Sequence, residues 1–377
     1  MKIGIDIRNI GRQRTGSEVV VLELTKNVLK LDRENEYFLL TDTDDKAILE
    51  NIKKALELDG KNNAKIVSLK AKNKFVWAAW VAPRYLHQNK LDVYHAEYIL
   101  PLFIPKETRA ITHIHDVSFK AHKEFIKKSD LLFLNILIPL SLKKAHKVIA
   151  ISEFTKEEII KYYGVKSEKI ELIYNAVQTS RESSRITSSE LRQKYGLPEK
   201  YILYVGTLQP RKNIPALIEA FGKIAEKISD TKLVIAGNKK AHNFDKKIDE
   251  TIKKNDLEDK VVFTGFIDEK DKADVFALAH VFAYPSFYEG FGLPLLEAMN
   301  EGVPVIAADS SSLKEIGGDA CMFFDPADLD DFSQKLYTIC VDEELRNKLV
   351  SSGKKRVNFF SWEKSAGQLQ KIYQNKK

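Results

Sequence analysis

Short apolar runs alternate with longer amphipathic stretches along the whole chain. In the first half, the runs at residues 3–7, 37–40, 64–68, 93–95, 110–115, 148–151 and 170–173 have the length and residue types of strands. Stretches with helical periodicity, such as 17–31, 46–58 and 156–163, separate most of them. This alternation predicts β-α-β units and a mostly parallel sheet. From 179 to 190 the pattern stops. That segment has no apolar face and is rich in Ser and Thr, as in a surface loop or linker. The alternation then resumes, with strands predicted at 201–205, 232–236, 260–264, 281–284 and 303–307. The chain therefore reads as two α/β units of similar length joined near residue 180. Ligands of such sheets bind at the carboxyl ends of the strands, so two facing units would form a cleft there.

A length of 377 residues suits two or three domains. The net charge of +7 lies entirely in the first half, up to about residue 175. That excess is either a solvated surface or an attraction toward an anionic membrane or an anionic acceptor. No basic stripe interleaved with aromatics is present, which argues against nucleic acid as a partner. The two cysteines, Cys321 and Cys340, sit in apolar surroundings without metal-ligand spacing and read as buried thiols of a reducing compartment. Met1-Lys2 leads straight into an alternating strand pattern rather than an export signal. The longest apolar run, 131–142, is too short to span a bilayer and is interrupted by Asn135, Pro139 and Ser141; it predicts a buried helix. A cytoplasmic protein is expected, with peripheral contact at the inner face of the membrane as an option. The first loop, from Gly11 to Ser17, lacks the G-x-G-x-x-G spacing, and no Walker-type string occurs, which argues against nicotinamide enzymes and P-loop ATPases.

The chemistry concentrates after the strand at 281–284. Pro285-Ser-Phe-Tyr-Glu289-Gly290-Phe291-Gly292-Leu293-Pro294 is followed by Leu-Leu-Glu297-Ala298-Met299. The two glycines permit close backbone approach to a ligand, and Pro294 sits where a helix begins. A helix start there offers amides and a dipole to a phosphate or a sugar hydroxyl. Glu289 precedes the turn and Glu297 lies one turn into the helix. As a bare pair they are equally well an incidental acid and a helix-start acid. Upstream, Val205-Gly206-Thr207-Leu208-Gln209-Pro210-Arg211-Lys212-Asn213 ends a strand, turns and opens a helix. Adjacent cations at such a turn suit a diphosphate, Arg as a planar fork and Lys as a point charge, or are simply surface cations. In the first half, Thr112-His113-Ile114-His115-Asp116-Val117-Ser118-Phe119 follows a strand. His113 and His115 point the same way along it, but no further Cys or His keeps metal-like spacing nearby.

Taken together and in order, these strings closely resemble the E-x7-E signature and companion motifs of the retaining glycosyltransferases of family 4, which have the GT-B fold. The resemblance implies two Rossmann-like domains facing each other across a cleft, with a C-terminal helix crossing back to the first. It places the acceptor-side domain at 1–178 with the helix 361–377, the nucleotide-sugar domain at 191–360, and a linker at 179–190. Ser361 is a natural N-cap for that helix. It implies that Glu289 contacts the transferred sugar, that Glu297 holds the ribose, and that Gly290, Phe291, Gly292 and Leu293 bind sugar and phosphate. Arg211 and Lys212, beside Gly206 and Thr207, would neutralise the diphosphate in place of a metal ion. His115 would face the donor sugar. Gly16 lies in what is similar to the family's first glycine loop, but Ser17-Glu18 stands where many relatives carry a second glycine; Arg12 and Arg14 are then either compensating cations or solvated. The stretches 76–83 and 98–102 resemble the acceptor side, where the aromatics are core, sugar platforms or a membrane-surface patch.

The function implied is retaining transfer of a hexose, with mannose from GDP-mannose as the favoured donor and a UDP-sugar as the alternative. The acceptor implied is a glycan, in particular a lipid-linked surface polysaccharide. Readings of other classes are a non-catalytic sugar-nucleotide-binding subunit of a membrane glycan-assembly complex, a sugar-nucleotide 2-epimerase, or a phosphorylase, the last needing a pyridoxal phosphate lysine that does not stand out.

Overall fold

The computed structural model describes residues 1–11, 16–123, 128–178, 186–240 and 243–375, with the side chains of 128–130 left aside. Two compact units emerge, residues 1–175 with 361–377, and residues 176–360. Arg12 and Arg14, and residues 179–185 of the expected linker, lie outside the described residues.

The first unit is built on a seven-stranded sheet. Its strands are β1 (Lys2–Asp6), β2 (Glu36–Thr41), β3 (Ala64–Ser68), β4 (Val93–Glu97), β5 (Arg109–Ile114), β6 (Lys147–Ala150) and β7 (Ile170–Leu172). Their spatial order is β3-β2-β1-β4-β5-β6-β7, and every pairing is parallel. The second unit carries β8 (Tyr201–Val205), β9 (Lys232–Ala236), β10 (Val261–Phe263), β11 (Val281–Tyr284), β12 (Val305–Ala308) and β13 (Cys321–Phe324). These run parallel in the order β10-β9-β8-β11-β12-β13. The central strands β8, β11 and β12 are buried nearly end to end, as helices on both faces require. The order reverses between β1 and β4 and between β8 and β11, and loops leaving such a switch point diverge to leave a ligand crevice.

Capping residues set the helix bounds. Ser152 caps helix Glu153–Tyr163, which stops at left-handed Gly164. Ser361 caps the last helix, Trp362–Gln374, as its sequence predicts. That helix belongs to the first unit. It buries Trp362, Ala366, Leu369 and Tyr373, packs on helix Gly16–Leu31, and donates a 2.6 Å hydrogen bond from Ser365 Oγ to the Tyr174 carbonyl.

Two expectations need correction. Strand β13 was not foreseen. The apolar run 131–142 does form a helix, Lys128–Lys144, but it is not a buried one: Leu132, Ile136 and Leu140, four apart on one face, are 66%, 52% and 40% exposed. Among the described residues no helix is long and apolar enough to cross a membrane.

Candidate active site

In the second unit the loops after β8 and β11 leave adjacent strands at the switch point and are stitched together. Phe287 N–H donates to the Arg211 carbonyl at 2.9 Å, and Arg211 Nη1 donates to the Tyr288 carbonyl at 3.0 Å. Between them lies Glu289, 7% exposed. Its Oε1 accepts from Lys212 Nζ, and its Oε2 lies 3.3 Å from Arg211 Nη1. Lys212, 5% exposed, also donates to the Tyr284 hydroxyl at 3.2 Å. Burial pushes the Glu289 carboxyl upward, but the two cations outweigh it, Lys212 more than Arg211, and hold it at about 2. Glu289 is thus a fixed anion, paired with Lys212 and Arg211 in a dry setting where charge acts strongly.

The backbone around Glu289 is equally fixed. Its N–H donates to Ser311 Oγ at 2.9 Å, while Ser312 Oγ reaches the carbonyls of Glu289 and Phe291, each at 3.0 Å. Gly292 has φ +102, and a Cβ there would lie 2.8 Å from Leu313 Cδ2, so the turn requires glycine twice over. Helix Leu293–Asn300 begins immediately after it. Its start offers fewer donors than expected, since Pro294 has no N–H and Leu295 N–H is used by the Gly292 carbonyl at 3.0 Å. On the other loop, the Tyr204 hydroxyl bonds the Thr207 carbonyl at 2.9 Å. Gly237 at the end of β9 approaches so closely that a Cβ would sit 2.4 Å from the Gly206 carbonyl oxygen. Asn213 Nδ2, at the start of helix Ile214–Ile224, is buried with no partner among the described residues.

Glu297 stands apart from this cluster. It is held by Lys272 Nζ at 2.8 Å, which also meets Glu269 at 2.9 Å. Lys272, Tyr284, Ser311, Ser312 and Gly237 escaped the sequence reading. Serines and a helical lysine carry no motif, and only their packing against the loops reveals them.

The first unit gathers a second set at its own switch point. His115 Nε2 meets Glu97 Oε1, and Asn9 Nδ2 meets the other oxygen of Glu97. The rings of His113 and His115 stack at 4.8 Å and 12°, so both histidines do point the same way. His113 in turn stacks on His95 at 5.7 Å and 11°. Gly16 opens helix Gly16–Leu31 with open space where a Cβ would be. Arg211, Lys212 and Glu289 are therefore brought together, Glu297 is paired separately, and His115 and Gly16 belong to the other unit.

Two family descriptions match this chain in tandem. "Glycosyltransferase Family 4" spans residues 14–181 and "Glycosyl transferases group 1" spans 187–356. The O-antigen chain mannosyltransferase B of Escherichia coli is 31% identical, over 76% of this chain and 75% of that one. The chain belongs to glycosyltransferase family 4. The expectation from its motifs is borne out, and the protein is a glycosyltransferase of GT-B fold. Among solved structures, sucrose-phosphate synthase from Thermosynechococcus elongatus superposes with a TM-score of 0.76 at 20% identity, covering 99% of this chain and 98% of its own. HepE from Anabaena, in complex with UDP and glucose, superposes with a TM-score of 0.74 at 18% identity, covering 99% of both chains. At these identities the likeness is one of fold.

Proposed function

We propose that this glycosyltransferase moves mannose from GDP-mannose, with retention of configuration, onto a growing glycan on a lipid carrier. The observation that carries the reading is the buried Glu289–Lys212–Arg211 cluster at the switch point of the second unit. One anion there organises two cations beside the Gly206–Thr207 turn and the Gly290, Phe291, Gly292 and Leu293 loop. In this reading residues 191–360 bind the nucleotide sugar, residues 1–178 with 361–377 supply the acceptor side, and 179–190 link them.

The chemistry follows from the charges. Arg211 and Lys212 neutralise the diphosphate, so no metal ion is needed, and they stabilise the charge that develops as the sugar C1–O bond breaks. Removing one such preorganised group costs about 3 kcal/mol. Glu289 is engaged by both cations and is a poor candidate for a covalent nucleophile. That favours attack from the same face as the departing diphosphate, whose oxygen takes the acceptor's hydroxyl proton as the new glycosidic bond forms. Glu297 receives the ribose, and His115 faces the sugar.

Mannose and a lipid-linked surface glycan are supported by the E. coli relative, whose name states an O-antigen mannosyltransferase. A UDP-sugar donor is the second reading, supported by the UDP and glucose held by HepE. Contact with the inner face of an anionic membrane fits the exposed apolar side chains of the basic first unit. Phe75, Trp80, Phe103, Leu132 and Ile136 are all more than half exposed. Lys74 lies 4.4 Å from the centroid of the Phe133 ring, which itself packs on Phe75.

Calorimetric titration with GDP, UDP, dTDP and ADP, with and without EDTA, tests the reading. Micromolar, EDTA-insensitive binding of GDP is the expected result. Selective binding of UDP transfers the assignment to the second reading. Binding of none, or binding abolished by EDTA, overturns the donor site.

A further inference from the structure

Strand β4 ends in Glu97, and His115 follows its neighbour β5, so adjacent strands bring together side chains 18 residues apart. Both are enclosed: the carboxylate is 9% exposed and the imidazole 10%. Glu97 spends one oxygen on His115 Nε2 and the other on Asn9 Nδ2, just after β1. The carboxylate is thereby oriented from its far side. The ring plane of His115 is set independently. It stacks on His113 and is flanked by Tyr98 at 5.5 Å. His113 stacks on His95, whose Nδ1 lies 2.7 Å from the Tyr373 hydroxyl of the last helix. Burial depresses His95 to about 4 and His113 well below its ordinary value, so both are neutral, rigid spacers at neutral pH.

The stack fixes where the His115 ring lies, but it does not choose which nitrogen carries the hydrogen. A carboxylate only accepts, so the nitrogen facing it is the donor. A neutral imidazole then keeps its lone pair on the other nitrogen.

The geometry points to Glu97 as the positioning residue of His115, holding it in the Nε2–H tautomer so that Nδ1 accepts a hydroxyl of the donor sugar. The role toward sugar rests on the reading of His115 given above. Glu97 itself touches no substrate and acts through the imidazole. Packing alone would be served by a neutral side chain, whereas choosing the tautomer calls for an obligate acceptor. Glu97→Gln keeps the shape and adds a donor, so both tautomers become accessible.

The test is ¹⁵N spectroscopy of the full chain labelled at histidine, with His115→Gln used to assign the ring. In the unmodified protein at neutral pH, His115 should show a pyrrole-type nitrogen at Nε2 and a pyridine-type nitrogen at Nδ1. In Glu97→Gln the two shifts should move toward each other, and kcat/KM for transfer should fall about tenfold, the loss of one charge-assisted hydrogen bond. Glu97→Asp should restore part of it. A pyridine-type Nε2 in the unmodified protein, or His115 shifts unchanged in Glu97→Gln, overturns the proposal. The stated tautomer in a protein that transfers from no nucleotide sugar overturns the functional reading instead, and leaves the Glu97–His115 pair standing.

Discussion

Lys272 places its ammonium 2.8 Å from the carboxylate of Glu297, and this lysine comes from a helix, Glu269–Ala277, that no motif marks. Burial works against the charge on Lys272, but Glu297 and Glu269 outweigh it and raise its pKa above the ordinary 10.5. The cation is therefore permanent, and it fixes the direction in which Glu297 presents its remaining acceptors.

Lys272→Met keeps the length of the side chain and removes the anchor. Nucleotide affinity should fall about tenfold, the equivalent of one charge-assisted hydrogen bond made less well, with the folded structure retained. Calorimetric titration compares the two proteins. Unchanged affinity would mean that Glu297 does not depend on this lysine.

The Glu289 cluster predicts a pH-dependent loss of stability. A carboxyl at about 2 in the fold, against 4.5 when free, stabilises the protein fully above pH 4.5. That contribution declines as pH falls from 4.5 toward 2. Glu289→Gln removes it at every pH and leaves Lys212 buried without its anion, at a cost of about 3 kcal/mol near neutrality. The gap in melting temperature between the two proteins should be wide at pH 7 and should close progressively as pH falls from 4.5 toward 2. A gap independent of pH would show that the charge of Glu289 is not what holds the cluster. Transfer should fall at least about a hundredfold in the same variant.

Much of this was legible in the chain itself. All seven strands of the first sheet and five of the six in the second can be read from their short apolar runs, most plainly the central β8, β11 and β12, because strands buried on both faces admit little but apolar residues. The loops carrying Glu289 and Arg211–Lys212 announce themselves through glycines and a proline that the backbone needs at those points. What escaped depends on packing between elements distant in sequence. Tyr373 and His95 are 278 residues apart, and nothing local predicts that they touch. Helix Lys128–Lys144 was misjudged because a run such as Leu-Leu-Phe-Leu-Asn-Ile-Leu-Ile looks buried on every side, and a uniformly apolar stretch has no periodicity to show which face is bare.

Gly292→Ala tests whether the turn before helix Leu293–Asn300 matters through its backbone. The substitution forces an L-residue to φ +102 and drives a Cβ to 2.8 Å from Leu313 Cδ2, at a cost of about 1–3 kcal/mol in conformational strain. Melting temperature should drop, and donor affinity should drop with it, because residues 290–293 move together with the turn. Gly367→Ala, in the last helix with open space around it, serves as the control and should be neutral or slightly stabilising. A Gly292→Ala protein as stable as the control would refute the argument.

The bare face of helix Lys128–Lys144 predicts membrane binding that has both an apolar and a charged component. Leu132 and Trp80 are 66% and 67% exposed, and each withdraws a large apolar side chain from water if it meets lipid. The excess positive charge of the first half adds attraction to anionic lipid, and salt screens that part but not the apolar part. Co-sedimentation with vesicles should therefore be stronger for anionic than for zwitterionic lipid and should weaken in part at 1 M salt. The double variant Leu132→Ser, Trp80→Ser should lose about tenfold or more in vesicle affinity with an unchanged melting temperature, since neither side chain is packed in the core. Retained binding in the double variant, with full reversal by salt, would assign the attraction to charge alone and remove these two side chains from the interface.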